Sequence, residues 1–166
     1  MHAFNTAMPL AATGAPDLPR VDVPRSCAAT GRAATLALYD ELALAPKPGL
    51  VSFEDSGSHD DMDAHTFMRS LFALRHYFVE ITLLGAHNAP FSALQACGME
   101  AEARMLRATG GINTHRGAIF MLGLLCAAAG HVVAAQQQPT PEAIRAALHT
   151  QWGAALQARA PQSSGL

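Results

Sequence analysis

Charge is what this chain has least of. Only 14% of its 166 residues are Asp, Glu, Lys or Arg, and the formal net charge is -2. Lys47 is the single lysine, and the arginines are spread along the chain without forming a basic patch interleaved with aromatics. A nucleic-acid polymer is therefore not the expected partner. A small nucleotide, which needs only a few placed groups, stays open. Cysteine is also scarce. Cys27, Cys97 and Cys126 are far apart and odd in number, so they read as buried thiols in a reducing cytoplasm rather than a disulfide framework. The first 24 residues hold Pro9, Pro16, Pro19 and Pro24 but neither the basic start nor the apolar stretch of a secretory signal, and they read as a loose arm. No strand pair, βαβ unit or internal repeat is present.

What remains is helix, with half of the residues hydrophobic. Such an interior-rich composition suggests burial against more than solvent; self-association is compatible with it. A helix is expected over 26–45 with Ser26 as its cap, ending before Pro46 and Pro48. Residues 46–62 form a loop. A long helix then starts near Asp63, with Phe67, Leu71, Leu74, Phe78 and Ile81 on one face. A third covers 91–108, and a fourth follows to about Gln136. Gly117 to Ala135 carries no formally charged residue and would pass by length for a membrane span. Its glycines and alanines make it thin, and a helix apolar all round also suits the centre of a bundle, so no membrane is expected. Ile144, Leu148 and Trp152 outline a last helix. The expected fold is an all-α helical bundle around this central apolar helix, over 25–160, with a core that calls for further helices and a frayed tail at 161–166.

Three polar stretches interrupt the helical pattern. The first is Glu41 followed by Pro46-Lys47-Pro48-Gly49-Leu50-Val51. Prolines on both sides stiffen the lysine, which suits a phosphate, while Gly49 permits a close approach. The second is His59-Asp60-Asp61-Met62-Asp63, where clustered oxygen ligands suit Mg²⁺ bridging to a polyphosphate. The bland reading is helix capping by Asp61 or Asp63. The third is Thr109-Gly110-Gly111-Ile112-Asn113-Thr114-His115-Arg116-Gly117. Its glycines can expose successive amides, Thr114 can cap the helix behind them, and Arg116 adds charge, which together make an anion site. The bland reading is a helix–helix connector.

These stretches together resemble the triphosphoribosyl-dephospho-CoA synthase family, which serves malonate decarboxylase and citrate lyase. The matching residues include Glu41, Pro46 to Val51, Gly57-Ser58-His59, Asp61-Met62, Phe67, Ser70, Gly98, Ala101-Glu102, Met105, Thr109 to His115 and Gly117 to Phe120. The resemblance implies an all-helical enzyme and two small-molecule substrates, ATP and 3′-dephospho-CoA. Its reaction joins the ribose 2′-hydroxyl of dephospho-CoA to the anomeric carbon of ATP's ribose, and adenine leaves. Carried onto this chain, it puts Asp61, Glu41 and Asp60 at Mg²⁺ or at the developing charge and His59 or His115 as base. Lys47 and Arg116, with Gly110, Gly111, Asn113 and Thr114, would hold the triphosphate. Arg116 stands where lysine is common in the family, and the flanking helices look more like the malonate decarboxylase branch. Family members continue into a glycine- and arginine-containing motif absent here, which implies a truncated N-terminal part. The rival expectations are a non-catalytic helical module binding Mg²⁺–nucleotide and a purely structural helical protein.

Overall fold

The computed structural model describes residues 20–159. Among them are six helices and no strand: α1 Val23–Ala43, α2 Ala64–Leu74, α3 Tyr77–Ala86, α4 Phe91–Thr109, α5 Arg116–Ala134 and α6 Pro141–Arg159. The all-α expectation holds. The tail at 161–166 and most of the N-terminal arm lie outside the described residues, but Val23 and Pro24, read as arm, are the first residues of α1. Proline is tolerated there because amides of the first turn need no helical partner. Asp22, not Ser26, is the cap: its Oδ1 accepts from the Arg25 amide at 3.1 Å.

The long helix expected from Asp63 is two helices, α2 and α3, separated by Arg75 and His76. Both residues keep right-handed helical dihedrals, so the chain is re-aimed without entering a loop. The division lets α2 pack chiefly on α4 while α3 packs on α1 and α5. Leu71, Leu74, Phe78 and Ile81 are buried, as their spacing predicts.

The thinness of the central helix is explained by its contact with α3. A Cβ on Gly85 would lie 1.9 Å from the Ala127 carbonyl oxygen, and one on Gly130 would lie 2.0 Å from that of Thr82. Two helix backbones therefore meet with no side chain between them. The α5 face toward α3 is wholly buried, including Ala127, Ala128 and Val132. Its other face is not. Phe120, Met121 and Leu125 are exposed, so α5 is apolar all round but enclosed on one side only. It is long and apolar enough to cross a membrane, with mean hydropathy 2.0, and half of it is buried within this bundle.

Pro141 opens α6, and the Thr140 hydroxyl accepts from the Ala143 amide at 3.2 Å. Trp152, 3% exposed, seats the helix by donating from Nε1 to the Ala89 carbonyl at 3.0 Å. Trp152→Phe keeps most of the apolar contact but leaves that carbonyl unpaired. It is expected to lower stability by about 1 kcal/mol, read as a lower urea midpoint.

Candidate active site

Glu41, near the end of α1, fixes the loop that follows. Lys47 reaches back to donate from Nζ to the Glu41 carbonyl at 2.5 Å and to its carboxylate Oε1 at 2.8 Å. The lysine side chain is only 7% exposed, against 52% for Glu41. Lys47 is thus a held, carboxylate-paired cation rather than a solvated one. Next to it, Gly49 (φ +79°) and Gly57 (φ +63°) abut. A Cβ on Gly57 would come within 2.5 Å of the Gly49 carbonyl carbon, and the Ser58 amide donates to Gly49 O at 3.3 Å. The close approach that Gly49 permits is therefore made by the chain's own Gly57-Ser58 turn. Two motifs separate in sequence form one double turn, closed by Ser52 and Asp55 beneath it: the Ser52 hydroxyl accepts from the Glu54 and Asp55 amides at 3.2 and 3.1 Å.

Of the acidic cluster, Asp63 caps α2, accepting from the Thr66 amide and hydroxyl, both at 2.8 Å. These bonds hold its carboxyl below the usual carboxylate range. Asp60 and Asp61 are exposed, and His59 is half-buried. The expected metal set of Glu41, Asp60 and Asp61 is not assembled, since no group of three His, Cys, Asp or Glu residues comes together among the described residues. Glu41 is instead engaged with Lys47. This donor set does not fit a protein-only Mg²⁺ cage. It fits only the mode in which the ion keeps its waters, arrives with a polyphosphate and takes one or two carboxylates.

The glycine turn departs most from expectation. Gly110 (φ +71°) is the left-handed C-cap of α4, and its amide and that of Gly111 both donate to the Leu106 carbonyl. This is how helices commonly end. Thr114 does not cap α5; the Asn113 Oδ1 accepts from the Arg116 amide at 3.2 Å. The amides of Gly110, Gly111 and Arg116 are thus already bonded, and that of His115 points at the Met105 sulfur at 3.2 Å. The two glycine amides are thus spent on ending α4. Arg116 pairs with Glu102 through Nε at 2.7 Å. Both line an apolar groove of about 870 Å³ between α4, α5 and α6, which none of Glu41, Lys47, His59, Asp61 or His115 lines.

His115, in the third polar stretch, is a buried titratable group on which Glu41 of the first stretch acts. It is 6% exposed, its Nδ1 is 2.6 Å from the Ser70 hydroxyl, and the Phe67 ring meets it edge-on at 5.0 Å. Its Nε2 is buried with no hydrogen-bond partner, as is the Thr114 hydroxyl. Burial pushes the imidazole pKa down to about 4, with the nearby Glu41 carboxylate opposing the shift. The ring is therefore neutral at physiological pH. A neutral imidazole with one nitrogen engaged and the other orphaned in the interior can take or give one proton. Sequence reasoning named His115 but gave Ser70 no role. The signal was a hydroxyl on the same helical face as Phe67 and Leu74, where an apolar residue would be expected.

Residues 27–163 match the family described as CitG: ATP:dephospho-CoA triphosphoribosyl transferase. The chain is 50% identical over 97 residues to the protein named "Probable 2-(5''-triphosphoribosyl)-3'-dephosphocoenzyme-A synthase" of Acinetobacter calcoaceticus, covering 58% of this chain and 33% of that one. It is 44% identical over 110 residues to Protein CitXG of Haemophilus influenzae, covering 63% and 24%. It is 43% identical over 108 residues to the 2-(5''-triphosphoribosyl)-3'-dephosphocoenzyme-A synthase of Escherichia fergusonii, covering 61% and 36%. The matched stretch thus spans about a third or less of these relatives' lengths. No solved structure matches with significance. With the family match covering most of its length, the chain belongs to the ATP:dephospho-CoA triphosphoribosyl transferase family.

Proposed function

We propose that the protein transfers the 5-triphosphoribosyl group of ATP to the ribose 2′-hydroxyl of 3′-dephospho-CoA. The product would be the prosthetic-group precursor for the acyl-carrier subunit of malonate decarboxylase or citrate lyase. The observation that carries this reading is the buried, neutral His115 with its unpartnered Nε2, in a chain whose family match names both substrates.

The chemistry asks for a base. The 2′-oxygen forms a bond to the anomeric carbon of ATP's ribose while the bond from that carbon to adenine N9 breaks. The 2′-hydroxyl proton passes to His115 Nε2, and adenine ends with a proton on its ring. The triphosphate stays on the transferred sugar. Charge builds positively on that sugar, so an exposed carboxylate such as Asp61 fits as its stabiliser. Lys47 would meet the triphosphate by exchanging its Glu41 carboxylate for phosphate oxygens, and Arg116 would do so by leaving Glu102. Mg²⁺ would come with ATP and neutralise part of the phosphate charge. The three cysteines are free, which supports a cytoplasmic setting.

Release of free adenine that depends on dephospho-CoA tests the reading and separates it from a module that only binds nucleotide. Asp61→Asn is expected to abolish that release while leaving the melting temperature unchanged, since Asp61 is exposed. Wild-type turnover in that variant would remove Asp61 from the scheme.

A further inference from the structure

We infer that the apolar groove between α4, α5 and α6 holds the pantetheine arm of the acceptor. This rests on the proposed reading that the acceptor is 3′-dephospho-CoA. One face of α4 lines the groove from Phe91 through Leu94, Gln95 and Gly98 to Glu102, at the three- and four-residue spacing of a helix stripe. Gly98 leaves a gap in the middle of that stripe. Gly31, Gly85, Gly123 and Gly130 are explained by packing, since a Cβ on any of them would collide at 2.4 Å or less. A Cβ on Gly98 would meet nothing nearer than Tyr77 Oη at 3.7 Å and Ile119 Cγ2 at 3.8 Å. Glycine weakens a helix interior relative to alanine, and here no neighbour requires it. Gly117 and Gly153 are as free of neighbours but do not line the groove. What Gly98 provides is open depth beside Tyr77 and Ile119.

Size and chemistry both fit that arm. The volume of about 870 Å³ is in the range of sites for small organic ligands. On one helix, Phe91 to Glu102 corresponds to ~16 Å of rise. From its first methylene to its sulfur, the pantetheine chain matches about four residues of extended backbone, or ~14 Å. Its methyls and methylenes suit Leu94, Ile119 and Leu124, and its amides suit the side chain of Gln95. Charge is placed to match. Glu102 and Arg116 mark one end, and Arg159, with its guanidinium 5.6 Å from the centre of the Phe91 ring, marks the other. Arg116 directly follows His115 in sequence, so its end of the groove is the one that adjoins the proposed reaction. The acceptor's diphosphate separates its arm from the reacting ribose and so falls at Arg116, next to the donor's triphosphate. Lys47, Asp61 and His115 do not line the groove, as expected of a site for the part of the substrate that does not react.

Gly98→Leu fills the gap with a side chain whose Cβ makes only ordinary contacts. Leucine also favours the helix, so the melting temperature should hold or rise. In the full-length protein we expect KM for 3′-dephospho-CoA to rise by about 10-fold, the worth of apolar contact for two methylenes, with KM for ATP little changed. Independently of any variant, 4′-phosphopantetheine, the arm without its adenosine, should inhibit wild-type protein in competition with dephospho-CoA and not with ATP. Calorimetric binding of dephospho-CoA to wild type and Gly98→Leu tests the groove without turnover. Weaker binding by the variant upholds the inference even where no adenine is released, in which case it is the proposed function that fails. Equal affinity in the two proteins, no binding to wild type, or inhibition competitive with ATP overturns it. A lower melting temperature or a changed oligomeric state with affinity unmoved also overturns it, because a protein segment or a second copy then fills the groove.

Discussion

His115→Gln is expected to cut adenine release by about 10³-fold with the fold preserved. The glutamine amide is close in size to imidazole and can still meet the Ser70 hydroxyl, but it has no nitrogen able to accept a proton. The loss should fall on kcat, because the proposed role of His115 is at the reacting hydroxyl and not at the triphosphate. The same variant has a second signature, in stability. The imidazole titrates near its ordinary 6.5 when unfolded but near 4 in the fold. Between those values the unfolded chain binds more protons, so stability is full above about 6.5 and falls as pH drops toward 4. Its depth is on the order of 3 kcal/mol. His115→Gln has no such proton to bind. Urea unfolding at pH 7 and pH 4.5 should show a smaller acid loss in the variant than in wild type. Equal acid losses would mean that His115 is not held neutral by burial.

Gly130→Ala should be strongly damaging for a single added methyl group. In an ordinary helix, alanine in place of glycine gains about 1 kcal/mol. Here the new Cβ would fall 2.0 Å from the Thr82 carbonyl oxygen and 3.1 Å from the Ala86 amide nitrogen, both backbone atoms that cannot rotate away. The α3–α5 contact must open, and a net loss of about 3 kcal/mol is expected. Gly117→Ala on the same helix is the control, because nothing lies within 4 Å of its Cβ. That change should be neutral or slightly stabilising. Equal effects of the two substitutions on the urea midpoint would show that α3 and α5 do not meet backbone to backbone.

The bundle was legible because its signals are local. The four-and-three spacing from Phe67 to Ile81 and the prolines at 46 and 48 place helices and breaks with little help from tertiary contacts. The α2–α3 division was not legible, since Arg75 and His76 keep helical dihedrals and only the packing partners change. The site was legible in its residues but not in its pairings. Lys47 and Arg116 look like free cations in sequence, yet each finds a carboxylate, Glu41 six residues away and Glu102 on the preceding helix. The glycine pair has the composition of an anion loop, but Gly110 ends a helix. Composition cannot tell these apart, because both uses need positive φ. Ser70 with His115 was hidden for the opposite reason. A lone hydroxyl on an apolar face does not name its partner, and only the fold brings Ser70 beside His115.

The most direct measurement is to mix the full-length protein with ATP, Mg²⁺ and 3′-dephospho-CoA and follow adenine and the nucleotide products by chromatography. The account predicts one free adenine per dephospho-CoA consumed, the triphosphate retained on the product, and no adenine when dephospho-CoA is left out. Adenine released at the same rate without dephospho-CoA, or ATP converted to ADP and phosphate instead, would contradict it.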